Sequence, residues 1–124
     1  MYAHVNTHLD HISFDAQMNG AEMVMKKAET FAVPTFVTGD FNSPEGEQVY
    51  QKMASFLLQD SKYVAENTMN YFTFNNFTDE FASIIDYIFV SKDVRVQTYN
   101  VVLDKIEGNY PSDHCPVYCD AEIC

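Results

Sequence analysis

Residues 2 to 9 alternate, with Ala3, Val5, Thr7 and Leu9 on one side and His4, Asn6 and His8 on the other, and Asp10 continues the polar side. A period of two with one apolar and one polar face predicts a strand. Between Asp15 and Ala32, the positions Met18, Ala21, Met25, Ala28 and Phe31 or Ala32 recur at helical spacing, and Pro34 closes the run. Lys26 and Lys27 lie late in this helix, where the negative end of the dipole favours cations, and Gly20 is its weak point. A short apolar run, Thr35 to Thr38, then enters Gly39-Asp40-Phe41-Asn42. Ser43 reads as an N-cap, Pro44 as the first helical position, and Glu45 and Glu47 as first-turn acids. They predict a second helix over about 44–58, packed through Val49, Met53, Phe56 and Leu57.

Residues 59 to 80 hold no sustained period and predict a long loop with a short strand near Tyr71 to Phe74. Ile84 to Val90 is the strongest strand, and it carries Asp86 inside an otherwise apolar run. A buried carboxylate without a partner is costly, so Asp86 requires one. Val94 to Leu103 alternates as another strand, residues 108–112 form a loop, and Val117 to Ile123 is the last strand. No repeat, low-complexity segment or internal linker interrupts the chain. The pattern describes a layered α/β fold, with two helices on a mostly antiparallel or mixed sheet. It leaves Asp40 and Asn42 at the C-terminal end of a strand, where open α/β sheets place ligands.

Composition narrows the class. With 47 % hydrophobic residues in 124, the chain is one domain or part of one and is not disordered, and no apolar run approaches the roughly 18–20 residues of a membrane span. The 18 acidic against 7 basic residues give a net charge of −11, which disfavours a nucleic-acid partner without leaving it excluded. The three cysteines, Cys115, Cys119 and Cys124, crowd into the last ten residues in odd number, unlike a disulfide framework. Together with a start that has no secretory signal, they lead to an expectation of a reducing, cytoplasmic setting. Two zinc sites compete with plainer readings: Cys115, Cys119 and Cys124 against small buried hydrophobes, and His4, His8 and His11 against scattered strand-face histidines.

His8, Asp40, Asn42, Asp86 and the pair Asp113-His114 combine carboxylates, imidazoles and an amide at strand ends, which is the chemistry of metal-assisted phosphoryl transfer. Singly, each has a structural reading: Asp40 capping a turn, Asp113 forming a loop, His8 hydrogen-bonded and half-buried. Tyr71, Phe72, Phe74 and Phe77 read as core, or as a stacking wall for a base or lipid.

Taken in order, NTHLDH with His8, GDFN with Asp40 and Asn42, IDYIFVS with Asp86 and SDHCPV with Asp113-His114 resemble the endonuclease/exonuclease/phosphatase superfamily over residues 5–117. The segment Thr73-Phe74-Asn75-Asn76-Phe77 resembles a bacterial branch of it, in which Asp10 and His11 also recur without an assigned role. The resemblance implies hydrolysis of a phosphoester by a metal-positioned water, with Mg2+ or Mn2+ held by Asp113 and Asp40. It implies that Asp40 orients or deprotonates the water or protonates the leaving oxygen, and that Asn42 holds Asp40 and donates to a phosphate oxygen. His114 would contact the phosphate with its other ring nitrogen held by Asp86, and His8 would contact phosphate or donate a proton. The family's substrates include nucleic acids, phospholipids and inositol phosphates, so the resemblance leaves the substrate open.

The same resemblance implies a complete domain about twice this length, a four-layered α/β/β/α sandwich of which this chain is the C-terminal half. The inner sheet face, with Ile85, Tyr87 and Phe89 or their alternates Ile84, Ile88 and Val90, is then expected to be exposed, and to form a homodimer or dock on the absent N-terminal half. Weak or no activity is expected of this half alone. The alternative to an enzyme is a truncated module that binds phosphate or dimerises.

Overall fold

A computed structural model describes residues 1–55 and 57–124. Four strands form the first sheet in the order β1 (Ala3–His8), β2 (Thr35–Asp40), β5 (Asp86–Ser91) and β3 (Leu58–Asp60). Three form the second in the order β4 (Asn67–Met69), β6 (Val94–Val101) and β7 (Val117–Ile123). The helices are α1 (Phe14–Glu29), α2 (Gln48–Met53) and α3 (Ser61–Val64). β1 is parallel to β2 and β4 to β6; the remaining pairings are antiparallel.

β5 explains the layering. Its alternate residues Tyr87 and Phe89 join Val37, Phe41, Leu58 and the α1 and α2 residues Ala21, Val24, Met25, Ala28, Val49 and Met53 in one core. Ile88 and Val90 point the other way, into a second core with Val94, Val96, Tyr99, Val101 and Cys115. Helices, first sheet and second sheet therefore stack as three layers. A strand buried on both faces reads as a continuous apolar run rather than an alternating one.

This stacking corrects the expected exposure of the β5 face: Ile85, Tyr87, Ile88, Phe89 and Val90 are all buried, because the chain's own second sheet covers the face that the helices do not. What stays open is the flank beyond it, a groove of about 340 Å³ between the two sheets, lined chiefly by Tyr2, Phe36, Ile88, Cys119, Ala121 and Ile123.

The second helix is shorter than the sequence suggests. Glu47, not Ser43, is its N-cap, and Gly46 at φ +87° sends the chain through a left-handed turn before the helix starts. Ser43 is buried, its carbonyl accepting the Tyr87 hydroxyl at 2.6 Å. Val49 and Met53 face the core as expected, while Phe56 lies outside the described residues. The predicted long loop at 59–80 instead begins within β3 and contains α3 and β4; β3 pairs with β5 and β4 with β6, both far along the chain. Local periodicity carries no trace of such pairings. The short strand expected near Tyr71 reduces to Phe74, bridged to Ser83 and His114.

Asp10 acquires a role: its Oδ2 accepts from the amides of Ile12 and Ser13, and Ser13 Oγ caps α1 by accepting from Ala16. Gly20 lets α1 approach β1, since a Cβ there would lie 2.8 Å from Leu9 Cδ2. The tightest constraint is Gly39. At φ +148°, a Cβ would lie 1.8 Å from the Thr7 carbonyl oxygen, within the β1–β2 pairing that delivers Asp40. Gly39→Ala is therefore expected to cost about 3 kcal/mol or more in urea unfolding, while Gly46→Ala, with open space around it, costs about 1 kcal/mol.

Candidate active site

The register of the first sheet sets His8, Asp40 and Asp86 side by side in one row across β1, β2 and β5. The row ends the face that, farther along β5, packs on the second sheet. His114 arrives from the loop before β7, and its Nδ1 bonds Asp86 Oδ2 at 2.8 Å. Its Nε2 stands 3.6 Å from Asp40 Oδ2, which also lies 3.3 Å from His8 Nε2. A chain of side chains thus runs from half-buried Asp86 through His114 and Asp40 to His8, whose side chain is 74 % exposed.

Asp40 is fixed by the turn that follows it. The Asn42 amide N–H donates to Asp40 Oδ1 at 2.9 Å, while Asn42 stands at φ +49°, a region that asparagine tolerates. The Asn42 side chain donates to the Leu9 carbonyl at 2.7 Å, tying the turn to the end of β1. It is therefore the backbone of Asn42 that holds Asp40.

Burial pushes the Asp86 carboxyl up, offset in part by hydrogen bonds from His114 and Thr73. For His114, burial alone would favour the neutral ring. The bond to Asp86 and the negative charges of Asp86, Asp40 and Asp113 outweigh it and raise its pKa.

Two residues of the Thr73–Phe77 segment, to which the sequence reading gave no individual role, shape this corner. Buried Thr73 accepts at Oγ1 from the amides of Ile85 and Asp86 at 3.0 and 3.2 Å, and its carbonyl accepts from the Cys115 amide at 2.7 Å. Buried Asn75 donates from its side chain to the Ser112 carbonyl at 3.0 Å, and its amide donates to the Asp113 carbonyl at 2.8 Å. Residues 73–75 therefore clip the loop carrying Asp113 and His114 to the start of β5, with the Phe74 ring edge-on to His114 at 5.2 Å. The signal in the sequence was a small polar residue on either side of a phenylalanine: polar groups that must be buried beside an aromatic will be satisfied by backbone.

Asp40, Asp86 and His114 offer ligand atoms that all lie within 4.8 Å of one another. Among the described residues this is the one such group, so the cysteines and the trio His4, His8 and His11 do not assemble into zinc sites. His4 bonds Thr38 Oγ1 at 2.7 Å, and Cys115 is buried against Asn75. Asp113 stands outside the group, with its charge felt at His114. Tyr71, Phe72 and Phe77 are exposed and not core, Tyr71 lying edge-on to Phe72 and Phe81, while Thr73 and Asn75 of the same segment turn inward.

The layered sheets thus carry a carboxylate and histidine cluster at their strand ends. Residues 7–114 match the Endonuclease/Exonuclease/phosphatase family, and the chain belongs to it. Similar solved structures include the mannosyl-6-phosphatase Bt3783 of Bacteroides thetaiotaomicron VPI-5482, 33 % identical over 94 % of this chain and 49 % of that one, with a TM-score of 0.87. A functionally unknown conserved protein of Enterococcus faecalis V583 is 35 % identical over 96 % of this chain and 49 % of that one, at a TM-score of 0.86. The human Nocturnin catalytic domain, 24 % identical over 96 % of this chain and 46 % of that one, shares the fold at a TM-score of 0.69. The chain spans about half the length of these structures. No curated protein sequence matches it. No helix among the described residues is long and apolar enough to cross a membrane.

The raised pKa of His114 means that its pairing with Asp86 stabilises the fold fully below the ordinary histidine value of 6.5 and is lost as pH rises through the folded-state value. Asp86→Asn is expected to move the His114 titration midpoint downward in NMR, and an unmoved midpoint would show that Asp86 does not hold the charge.

Proposed function

We propose that the chain is the C-terminal half of a divalent-metal-dependent phosphoester hydrolase. The observation that carries this reading is the continuous line from Asp86 through His114 and Asp40 to His8, an anchored imidazole and an exposed one flanking a fixed carboxylate. Clustered carboxylate oxygens suit a hard cation. Asp40 of this group would hold Mg2+ or Mn2+, with Asp113, which stands outside the group on the loop that carries His114, as the second carboxylate; the ion when bound would supply positive charge to the phosphate oxygens.

Asp40, steadied by the Asn42 amide, takes a proton from water as the water oxygen bonds to phosphorus. His114, kept protonated by Asp86, donates from Nε2 to a phosphoryl oxygen as charge builds there. His8, at the exposed end of the row, gives a proton to the ester oxygen as its bond to phosphorus breaks, releasing the alcohol. A sugar phosphate is the favoured substrate class. The support is the 33 % identity to a protein named as a mannosyl-6-phosphatase, and the charge of −11, which repels polynucleotides.

Turnover by the chain alone is expected to be slow, since it spans half of its relatives. Phosphate release from a mannosyl 6-phosphate with Mg2+, measured at high protein concentration, should fall by about 10²–10⁴-fold in Asp40→Asn with an unchanged circular dichroism spectrum. Hydrolysis surviving at the original rate would remove Asp40 from the chemistry.

The open groove between the sheets favours a second reading, in which the chain docks through this apolar surface on a further α/β half or on its own copy. Sedimentation at micromolar concentration is expected to show self-association. A monodisperse monomer would rule out the dimer.

A further inference from the structure

Away from the row of site residues, the Lys62 ammonium is completely buried, its side chain showing no exposed surface. It pairs with Asp60 and, at 2.6 Å, with Glu45 Oε1, and it sits over the Tyr87 ring at 4.7 Å from the centroid. Tyr63 donates to the other Glu45 oxygen, and Tyr50 donates to Asp60 at 2.9 Å. Burial and Asp60 push the Tyr50 phenol up, and the bond to Glu45 takes Tyr63 up to about 12, so both stay donors at neutral pH.

A buried ion cluster contributes little to stability over an apolar replacement, which directs attention to what it fixes in place. Asp60 belongs to β3, which is held in the sheet by its pairing with Phe89 of β5. Glu45 belongs to the turn that follows Asn42. That turn has no regular hydrogen-bond ladder of its own: Asn42 and Gly46 are both at positive φ, and the Ser43 carbonyl is taken by Tyr87. Lys62 touches both tethers, Glu45 by charge and Tyr87 by its ring face.

We propose that Lys62 is a positioning residue for the candidate active site, clamping the 43–46 turn through Glu45 and Tyr87 so that the Asn42 amide stays on Asp40. The proposal rests on the reading of Asp40 as the site's central carboxylate, but its geometry is testable without turnover.

Glu45→Ala cuts the tether while leaving the Lys62–Asp60 pair intact, so it avoids stranding the buried Asp60 carboxylate as Lys62→Met would. Amide hydrogen exchange, followed by NMR, compares the Phe41 and Asn42 amides with those of β6 in the second sheet. The Phe41 amide donates to the Ile85 carbonyl at 2.8 Å, and the Asn42 amide to Asp40. In Glu45→Ala these two amides are expected to exchange at least about tenfold faster while the β6 amides keep their rates, and Glu45→Gln, which keeps a polar side chain of the same length beside Lys62, restores most of the protection. Uniform acceleration across both sheets would reduce Lys62 to a general stabilising role, and unchanged exchange at Phe41 and Asn42 would overturn the clamp. Either result leaves the hydrolase reading standing, because that reading fails only on the rate of Asp40→Asn.

Discussion

Everything at the candidate site depends on how one carboxylate, Asp86, is accommodated inside an apolar strand. Burial raises its pKa, and an unpartnered charge there would be expelled or neutralised. The Asp86–His114 bond at 2.8 Å resolves the problem and has two consequences. It anchors the loop before β7 to the first sheet, and it aims the opposite ring nitrogen toward Asp40. The energetic need of one residue thereby becomes the geometric definition of the site.

Around this bond, the fold supplies rigidity from three directions. The sheet register lines up His8, Asp40 and Asp86 side by side on three paired strands. Thr73 and Asn75 clip the histidine loop to β5 by spending their side chains on backbone groups. The 43–46 turn, the least regular of the supports, rests on the buried Lys62 cluster. Polar groups buried away from water are costly unless satisfied, and here each satisfied group also locates a residue of the site.

The layering accounts for what is closed and what is open. Membership of the Endonuclease/Exonuclease/phosphatase family and a span of about half of its relatives fit a molecule in which Tyr87 to Val90 of β5 are buried within the chain while the intersheet flank is a groove.

The sequence by itself determined most of the strands, the long helix α1, the candidates His8, Asp40, Asp86 and His114 that the fold brings together, and the requirement that Asp86 have a partner. Periods of two and 3.6, and the placement of ionisable residues in apolar runs, are local properties of the chain. It did not disclose β3, α3 or β4, which exist through pairing with distant β5 and β6, nor the shortening of α2 by the left-handed turn at Gly46. Likewise, covering of the β5 face by the second sheet was not foreseeable from alternation, which shows that a face is apolar without saying what buries it. The tertiary structure alone decided that Asn42 holds Asp40 through its backbone amide, that Asp113 stands apart from the Asp40–Asp86–His114 group, and that a lysine could be buried between two carboxylates. The Asp40–Asp86–His114 and Lys62–Glu45 contacts join residues far apart in sequence, and the local Asn42–Asp40 bond depends on a left-handed backbone at Asn42, which periodicity does not encode.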